Sequence, residues 1–458
     1  MRANPDQRLL IAGAGLVGPL LAILLARKGW KVELFDRRQD PRLTRATEGR
    51  SVNLALAERG IHALMHSGLM DTIRKLIIPV RGRMIHRPGL PESFQPYSQK
   101  ESEHIWSISR ADLNRELIRA AEATKGVRFH FRHSCLSADP GKHLLRVKDE
   151  VSGQISEQPY DALFVADGSS SHVRDSLTAE YGNFVRTEPL QHSYRELRMP
   201  SLRDGSGFAM RGDSLHIWPG DDFMMIGLPN PDHSFTMTLF LPDHGKVSFA
   251  SLKQNAELSH LFQTWFPGVQ DDIPDYQEQF FTNPPGQLGT VYCQRWAFPD
   301  IVLTGDAAHA MVPFHGQGMN CGFEDCAVMS ELMDQGDNFS DIFQNFEKRR
   351  REDCHAIATM ALENYVEMRS LVKDTQYLLR KEISFILEQN FPRYFIPRYS
   401  MVMFHRIPYQ EAFQRGQKQE EILDLCCRGI HSATELDLER AEQLLRQLPA
   451  INPASVAV

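Results

Sequence analysis

Gly13-Ala14-Gly15-Leu16-Val17-Gly18 carries glycine at its first, third and sixth positions, a spacing suited to cradling a pyrophosphate. Gly13 permits a tight turn, Gly15 lets the backbone come close to phosphate oxygens, and Gly18 permits close helix–strand packing. The phosphates would sit at a helix N-terminus, where free N–H groups and the helix dipole favour anions. Asp36 follows 23 residues after Gly13, at a strand end, where its carboxylate can accept hydrogen bonds from a ribose hydroxyl pair. Pro19 falls in the first helical turn, where its missing N–H costs nothing. Together these residues predict a dinucleotide site.

A second segment separates FAD from NAD. Ile301-Val-Leu-Thr-Gly-Asp-Ala-Ala-His309 reads as a strand ending in Gly305-Asp306, followed by Pro313-Phe-His-Gly-Gln-Gly-Met-Asn320 and a helix. Asp306 is placed to bind ribityl hydroxyls, which FAD has and NAD lacks. The Gly316-Gln317-Gly318 turn would aim backbone N–H groups at a flavin pyrimidine edge, stabilising the negative charge that grows there on reduction. His309 and His315 are the obvious metal-ligand types nearby, but no carboxylate or cysteine cluster completes a site, so no metal is expected. A turn-stabilising role suits His309 better.

The elements that must position these groups are legible as patterns. Arg8 to Gly13 is a short buried strand, Leu16 to Gly29 a helix closed by glycine, and Lys31 to Phe35 a second strand ending at Asp36. This unit begins a doubly wound parallel sheet. Val127–Phe131, Ala162–Ala166 and Ile301–Thr304 read as further apolar strands. Segments such as Phe223–Leu228 and Ser234–Phe240 alternate as antiparallel strands do, and from about residue 318 the pattern is helical to about 447. The expected class is α/β, or α+β overall. A Rossmann-like FAD domain (1–184 with 296–335) holds an inserted antiparallel substrate domain (185–295), and a helical part (336–458) follows.

The 458 residues suffice for two domains, and 42% hydrophobic with 24% charged residues is ordinary for a globular protein. A net charge of -7, spread along the chain, argues against nucleic acid as a partner. Seven scattered cysteines without a CxxC pair fit reduced thiols, and Cys426-Cys427 fits two small side chains on a helix. The polar start excludes a signal peptide, and glycines with Pro19 interrupt the longest apolar run, so no membrane anchor and a cytoplasmic location are expected.

The GDAAH–PxxGQG arrangement at 305–318 resembles the flavoprotein aromatic hydroxylases. Tyr160-Asp-Ala-Leu-Phe-Val-Ala-Asp-Gly168 with Ser171-His-Val-Arg174 resembles that family's DG segment, with Val165 where the family usually has glycine. Gly49–Leu56 with Arg59-Gly60, Arg81–His86, Leu215–Pro219, Glu363–Met368 and Phe395–Val402 resemble the branch of the family that hydroxylates L-kynurenine. These segments span roughly nine-tenths of the chain. The resemblance implies that Arg83, Tyr97, Asn364 and Tyr399 hold the amino-acid end of the substrate, a task suited to a forked cation with phenol and amide donors. It adds Val17, Arg37, Arg38, Ala55, Arg110, Cys135 (through its backbone), Met319 and Asn320 to Gly13, Gly15, Gly18, Asp36, Asp306 and Gly318 as cofactor contacts. It places Pro313, Phe314 and His315 at the flavin's reactive face. It implies reduction of FAD by NADPH, oxygen addition to a C4a-hydroperoxide, and electrophilic hydroxylation beside the ring amino group. That amino group activates the position itself, so no protein base is obligatory. No second GxGxxG exists for NADPH, in keeping with transient docking. Animal and fungal members carry a C-terminal membrane segment; here a polar helix over Glu435 to Leu448 points to the soluble, bacterial-type form. The alternative is a related FAD hydroxylase of a phenol or aromatic acid.

Overall fold

Arg8–Ala12, Ala162–Val165 and Ile301–Leu303 are almost wholly buried, as strands covered on both faces must be. In the computed structural model, which describes residues 3–4, 6–43, 53–182, 184–202, 204–369 and 374–452, they form the centre of a parallel sheet. Its five strands run in the spatial order Ile301–Leu303, Ala162–Val165, Arg8–Ala12, Lys31–Asp36, Val127–Phe131. Every pairing is parallel, with Leu10 opposite both Leu163 and Glu33. The predicted strands are all present. The Val17–Arg27 helix buries Gly18 through Ala26 without a break, because it lies inside this layer rather than on a surface.

The chain divides into two compact units. Unit 1 comprises 1–77, 108–190 and 288–358; unit 2 comprises 78–107, 191–287 and 359–458. The divisions after 190 and 358 fall inside the Val185–Met199 strand and the Phe339–Arg369 helix. Unit 1 contains the parallel sheet, the Arg110–Ala123 helix, and the Gly318–Gln335 helix.

Unit 2 is built on a seven-stranded sheet that has Gly286–Cys293 at one edge, followed by six strands in the order Val185–Met199, Phe235–Pro242, Met224–Pro229, Ser214–Pro219, Gly82–Ile85, Ser93–Pro96. Four of the five pairings among these six are antiparallel, as the alternating pattern predicts. The exception is Gly82–Ile85, which lies parallel to Ser214–Pro219 with Arg83 opposite Leu215. This strand comes from far outside the β-rich segment. Gly82 is required there, since a Cβ would come within 2.5 Å of the Gln95 carbonyl oxygen on the neighbouring strand. A core of Phe235, Met237, Leu239, Phe262, Phe266 and Phe280 backs the sheet. The C-terminal helices Thr375–Asn390 and Tyr409–Cys427 pack around Ile383, Leu387, Phe395 and Leu423. Among the described residues, no helix is long and apolar enough to cross a membrane.

Candidate functional site

Unit 1 presents the dinucleotide fingerprint in a form only glycine allows. Gly13 has φ +101°, and a Cβ on it would collide with the Ala166 carbonyl oxygen. A Cβ on Gly18 would strike the Gly13 carbonyl oxygen, whereas nothing lies within 4 Å of the Cβ position of Gly15. The loop is thus closed against the sheet at Gly13 and Gly18 and open at Gly15, the side from which a pyrophosphate would approach. The buried Asn114 side chain holds this loop from the next helix, donating to the carbonyls of Gly15 (2.7 Å) and Ala14 (3.1 Å). Arg110 lies one turn before Asn114 on that helix, exposed at its N-terminus.

Asp36 is 7% exposed, and its carboxylate accepts from the backbone N–H of Ala14 (2.7 Å) and Arg38 (2.8 Å) and from Arg38 Nε and Nη2 (both 2.9 Å). Burial alone would raise its pKa, but the Arg38 bonds outweigh that and hold it below the usual carboxylate range. Both oxygens already accept two bonds. A ribose hydroxyl pair would reach Asp36 only by displacing the half-exposed Arg38 guanidinium. Beside Asp36, a cavity of about 480 Å³ is lined by Arg37, Ser134, Leu136, Lys148, Glu150 and His172. Cys135, between Ser134 and Leu136, is buried. Its thiol pKa is driven well up, first by burial and then by the Asp167 and Asp36 carboxylates, so it offers backbone rather than thiolate chemistry.

The second glycine-rich segment is brought onto the first by Val17. A Cβ at Gly305 would meet Val17 Cγ2 at 3.0 Å, and one at Gly322 would meet it at 2.7 Å. Asp306 opens the short Asp306–His309 helix, with Gly318 beside its carboxylate. Pro313–His315 forms a single tight turn, ended by Gly316 in the left-handed region at φ +66°. The next helix begins at Gly318, and its first capping bond is Cys321 N–H to the Gln317 carbonyl (2.8 Å). The amides of Gly318, Met319 and Asn320 precede that bond and so lack intrahelical acceptors. The Asn320 side chain is occupied in fixing the loop. It donates to the carbonyls of Ala55 (2.7 Å) and Gly316 (2.8 Å) and accepts from Ala57 N–H (2.9 Å). Any cofactor contact of Asn320 and Ala55 is therefore through the backbone. Of the Gly49–Leu56 segment, residues 49–52 lie outside the described residues.

His309 has the neighbours its local sequence does not reveal. Cys321, Asp325 and Cys354, all buried, surround it, and their ligand-type atoms with its own lie within 4.8 Å of one another. The expectation that nothing completes a cluster at His309 is corrected: the partners lie 12, 16 and 45 residues away on two later helices. Asp325 is nonetheless saturated. One oxygen accepts from His309 Nε2 (2.6 Å), Gly305 N–H (3.0 Å) and Thr304 Oγ1 (3.2 Å), the other from Arg350 Nε (2.8 Å). Burial acts to raise the Asp325 pKa, but His309 and Arg350 bring it down to about 2. The cluster is a buried ion network that fixes the turn after Ile301–Leu303, and the guanidinium inside it opposes a metal cation.

Unit 2 gathers all four residues expected at the substrate's amino-acid end. Arg83 is 3% exposed; its Nη1 donates to Glu367 (2.7 Å) and its Nη2 lies 3.5 Å from Asn364 Oδ1. Its guanidinium carbon is 5.2 Å from the Tyr399 ring centre and 5.8 Å from that of Tyr97, and the two rings stack 5.2 Å apart. Burial disfavours the Arg83 charge, but Glu367 and the three surrounding phenols more than offset this, and its pKa lies well above the ordinary value. Two donors stand out. Arg83 Nε and Tyr97 Oη are buried without a hydrogen-bond partner. Such groups are costly unless something fills the space they face.

Glu367, Tyr377 and Lys381 are members of this cradle that sequence reasoning missed. Glu367 sits three residues after Asn364, on the same helical face, and that spacing was available as a signal. Tyr377, whose hydroxyl donates to Glu367 Oε1 (2.7 Å), and Lys381 lie beyond the helix end, and nothing local marks them. Burial, with Arg83 nearby, depresses the Lys381 pKa to about 7.

Comparison with known proteins bears on both halves. A family model described as an FAD binding domain matches residues 6–334. The kynurenine 3-monooxygenase of Myxococcus xanthus is 45% identical over 95% of this chain and 94% of its own length. That of Xanthomonas axonopodis pv. citri is 43% identical over 96% of each, and that of Stenotrophomonas maltophilia 42% identical over 99% of this chain and 100% of its own. Among solved structures, a tetrameric 2-methyl-3-hydroxypyridine-5-carboxylic acid oxygenase aligns with TM-score 0.65 at 20% identity, covering 80% of this chain and 94% of its own. Klebsiella pneumoniae HpxO complexed with FAD aligns with TM-score 0.64 at 18% identity, over 94% and 100%. Those two similarities concern the fold.

Proposed function

Because the chain belongs to the FAD-binding kynurenine 3-monooxygenase family, we propose that it hydroxylates L-kynurenine to 3-hydroxykynurenine, consuming NADPH and O2 and releasing NADP+ and water. The observation that carries the substrate assignment is the pair of buried, unpartnered donors, Arg83 Nε–H and Tyr97 O–H. They suit the two oxygens of a carboxylate that ends an otherwise uncharged aromatic molecule.

Bound FAD supplies the redox chemistry, accepting a hydride equivalent from NADPH and activating O2. The chain's own residues bind, orient and exclude water. Gly13, Gly15 and Gly18 leave room for the pyrophosphate, with Val17 packing behind them and Arg110 as a nearby cation. Asp36, Arg37, Arg38 and the backbone at Cys135 take the adenosine end. Asp306 takes the ribityl chain. The helix-start amides of Gly318, Met319 and Asn320 face developing negative charge, with Ala55 holding their loop. Pro313, Phe314 and His315 line the reactive face. Arg83, Tyr97, Asn364 and Tyr399 fix the amino-acid end of the substrate. No residue needs to remove a proton before attack, since the ring amino group supplies the electron density. Seven free cysteines suit a reducing compartment, which supports a cytoplasmic location.

The test is substrate-stimulated NADPH oxidation by the purified yellow protein. L-kynurenine should stimulate consumption strongly, and benzoate or phenol should not. Stimulation by a phenol or benzoate alone would move the protein to another hydroxylase class.

A further inference from the structure

Glu367 is bonded asymmetrically. Arg83 Nη1–H and Tyr377 O–H both donate to the same oxygen, Oε1, each at 2.7 Å. Oε2 carries no bond among the described residues. The Glu367 side chain as a whole is 26% exposed. A carboxylate serving only to neutralise an arginine gains most from the two-pronged arrangement, with both oxygens on the guanidinium. Here that arrangement is not adopted. The end-on contact leaves the Nε edge of the Arg83 fork open as well as Glu367 Oε2.

Among the described residues the cradle therefore presents donors without partners and an acceptor oxygen without a bond, linked through the 2.7 Å Arg83–Glu367 ion pair. An α-amino acid carries a carboxylate and an ammonium on one carbon, and this is the complementary pattern. Lys381 is near enough for its charge to act on Glu367 but forms no ion pair with it among the described residues. Burial raises the Glu367 pKa, but Arg83, Tyr377 and Lys381 together lower it further, so the carboxylate is an anion at neutral pH.

We infer that Glu367 is a specificity-determining residue: its Oε2 accepts the α-ammonium of the substrate while Arg83 and Tyr97 take the carboxylate. The inference rests on the proposed function and adds an anionic acceptor for the amino group, which none of the four residues expected from sequence carries. The enzyme would thereby reject aromatic keto acids that share the ring, ketone and carboxylate of kynurenine but lack the amine.

The experiment compares L-kynurenine with its des-amino analogue, 4-(2-aminophenyl)-4-oxobutanoate, in the FAD-loaded wild-type protein and in Glu367→Gln. The wild type should prefer L-kynurenine in kcat/KM by about 10- to 100-fold, the scale of one charge-assisted hydrogen bond. In Glu367→Gln the KM for L-kynurenine should rise by about that factor while the KM for the analogue stays within a few-fold. Equal losses for both substrates would overturn the inference, because they would mean that Glu367 merely holds Arg83. If Glu367→Gln does not fold, the wild-type ratio decides: equal use of the two compounds refutes ammonium recognition, and a clear preference supports it. Failure of the parent assignment looks different, since neither compound would then stimulate NADPH oxidation in the wild type.

Discussion

Removing the Arg83 guanidinium should separate substrate binding from cofactor binding. Arg83→Ala deletes a side chain that is 3% exposed and whose interactions, with Glu367, Asn364, Tyr97 and Tyr399, are all within unit 2. The residues expected to hold FAD all belong to unit 1. In the substrate complex, Nε–H and the adjacent Nη2–H would each form a charge-assisted bond to the carboxylate. At about 1.5–3 kcal/mol per bond, losing both costs at least about 3 kcal/mol, or about two orders of magnitude in KM. The substitution also strands Glu367. Because that carboxylate is 26% exposed and keeps Tyr377 as a donor, the folding cost should fall below the roughly 3–5 kcal/mol typical of a fully buried broken pair. Arg83→Lys should recover only part of the loss, since a point charge cannot reproduce the fork. The assay is NADPH consumption against L-kynurenine concentration, with the visible spectrum of the same preparation reporting FAD content. A protein that stays yellow with KM raised about 100-fold fits. Loss of the flavin, or an unchanged KM, would refute the assignment of Arg83 to the substrate.

Three further outcomes are expected. Asp325→Ala should lower stability by about 3–5 kcal/mol in a urea melt, because it leaves His309 and Arg350 buried without their shared acceptor. The wild-type contribution of Asp325 should be complete above about pH 4 and decline as the pH falls toward 2, since its native pKa of about 2 lies below the ordinary aspartate value of 3.8. Lys381→Met should raise Tm at pH 7, and the gain should shrink as the pH rises toward 10. With a native pKa of about 7, the folded state has released a proton that the unfolded chain keeps until about pH 10.4, so wild-type stability climbs across that window; a pH-independent gain would contradict this. Gly13→Ala should yield colourless protein, because the new methyl meets the Ala166 carbonyl at φ +101°; retained FAD would show that the loop relaxes.

The cofactor half of the molecule was legible in the sequence because its signals are local. Leu9–Ala12 and Ile301–Leu303 read as buried strands from unbroken apolar runs, and glycine at 13, 15 and 18 has no cheap substitute in such a turn. The limits were set by contacts between distant segments. Nothing near Arg83 announces that its strand lies parallel to Leu215, or that the partner of its guanidinium is 284 residues away. His309 looked isolated for the same reason, since Asp325 and Cys354 reach it only once two helices are packed. Asp36 was correctly placed at a strand end, but its occupation by Arg38 depends on side-chain geometry that spacing does not carry.

This chain holds FAD and uses it to place one oxygen atom on the kynurenine ring. The most direct measurement is mass analysis of the product formed from L-kynurenine and NADPH under 18O2 by the purified protein. The expected product is 3-hydroxykynurenine carrying one 18O atom, formed in step with NADPH consumed. Unaltered kynurenine, or a product whose oxygen derives from water, would contradict it.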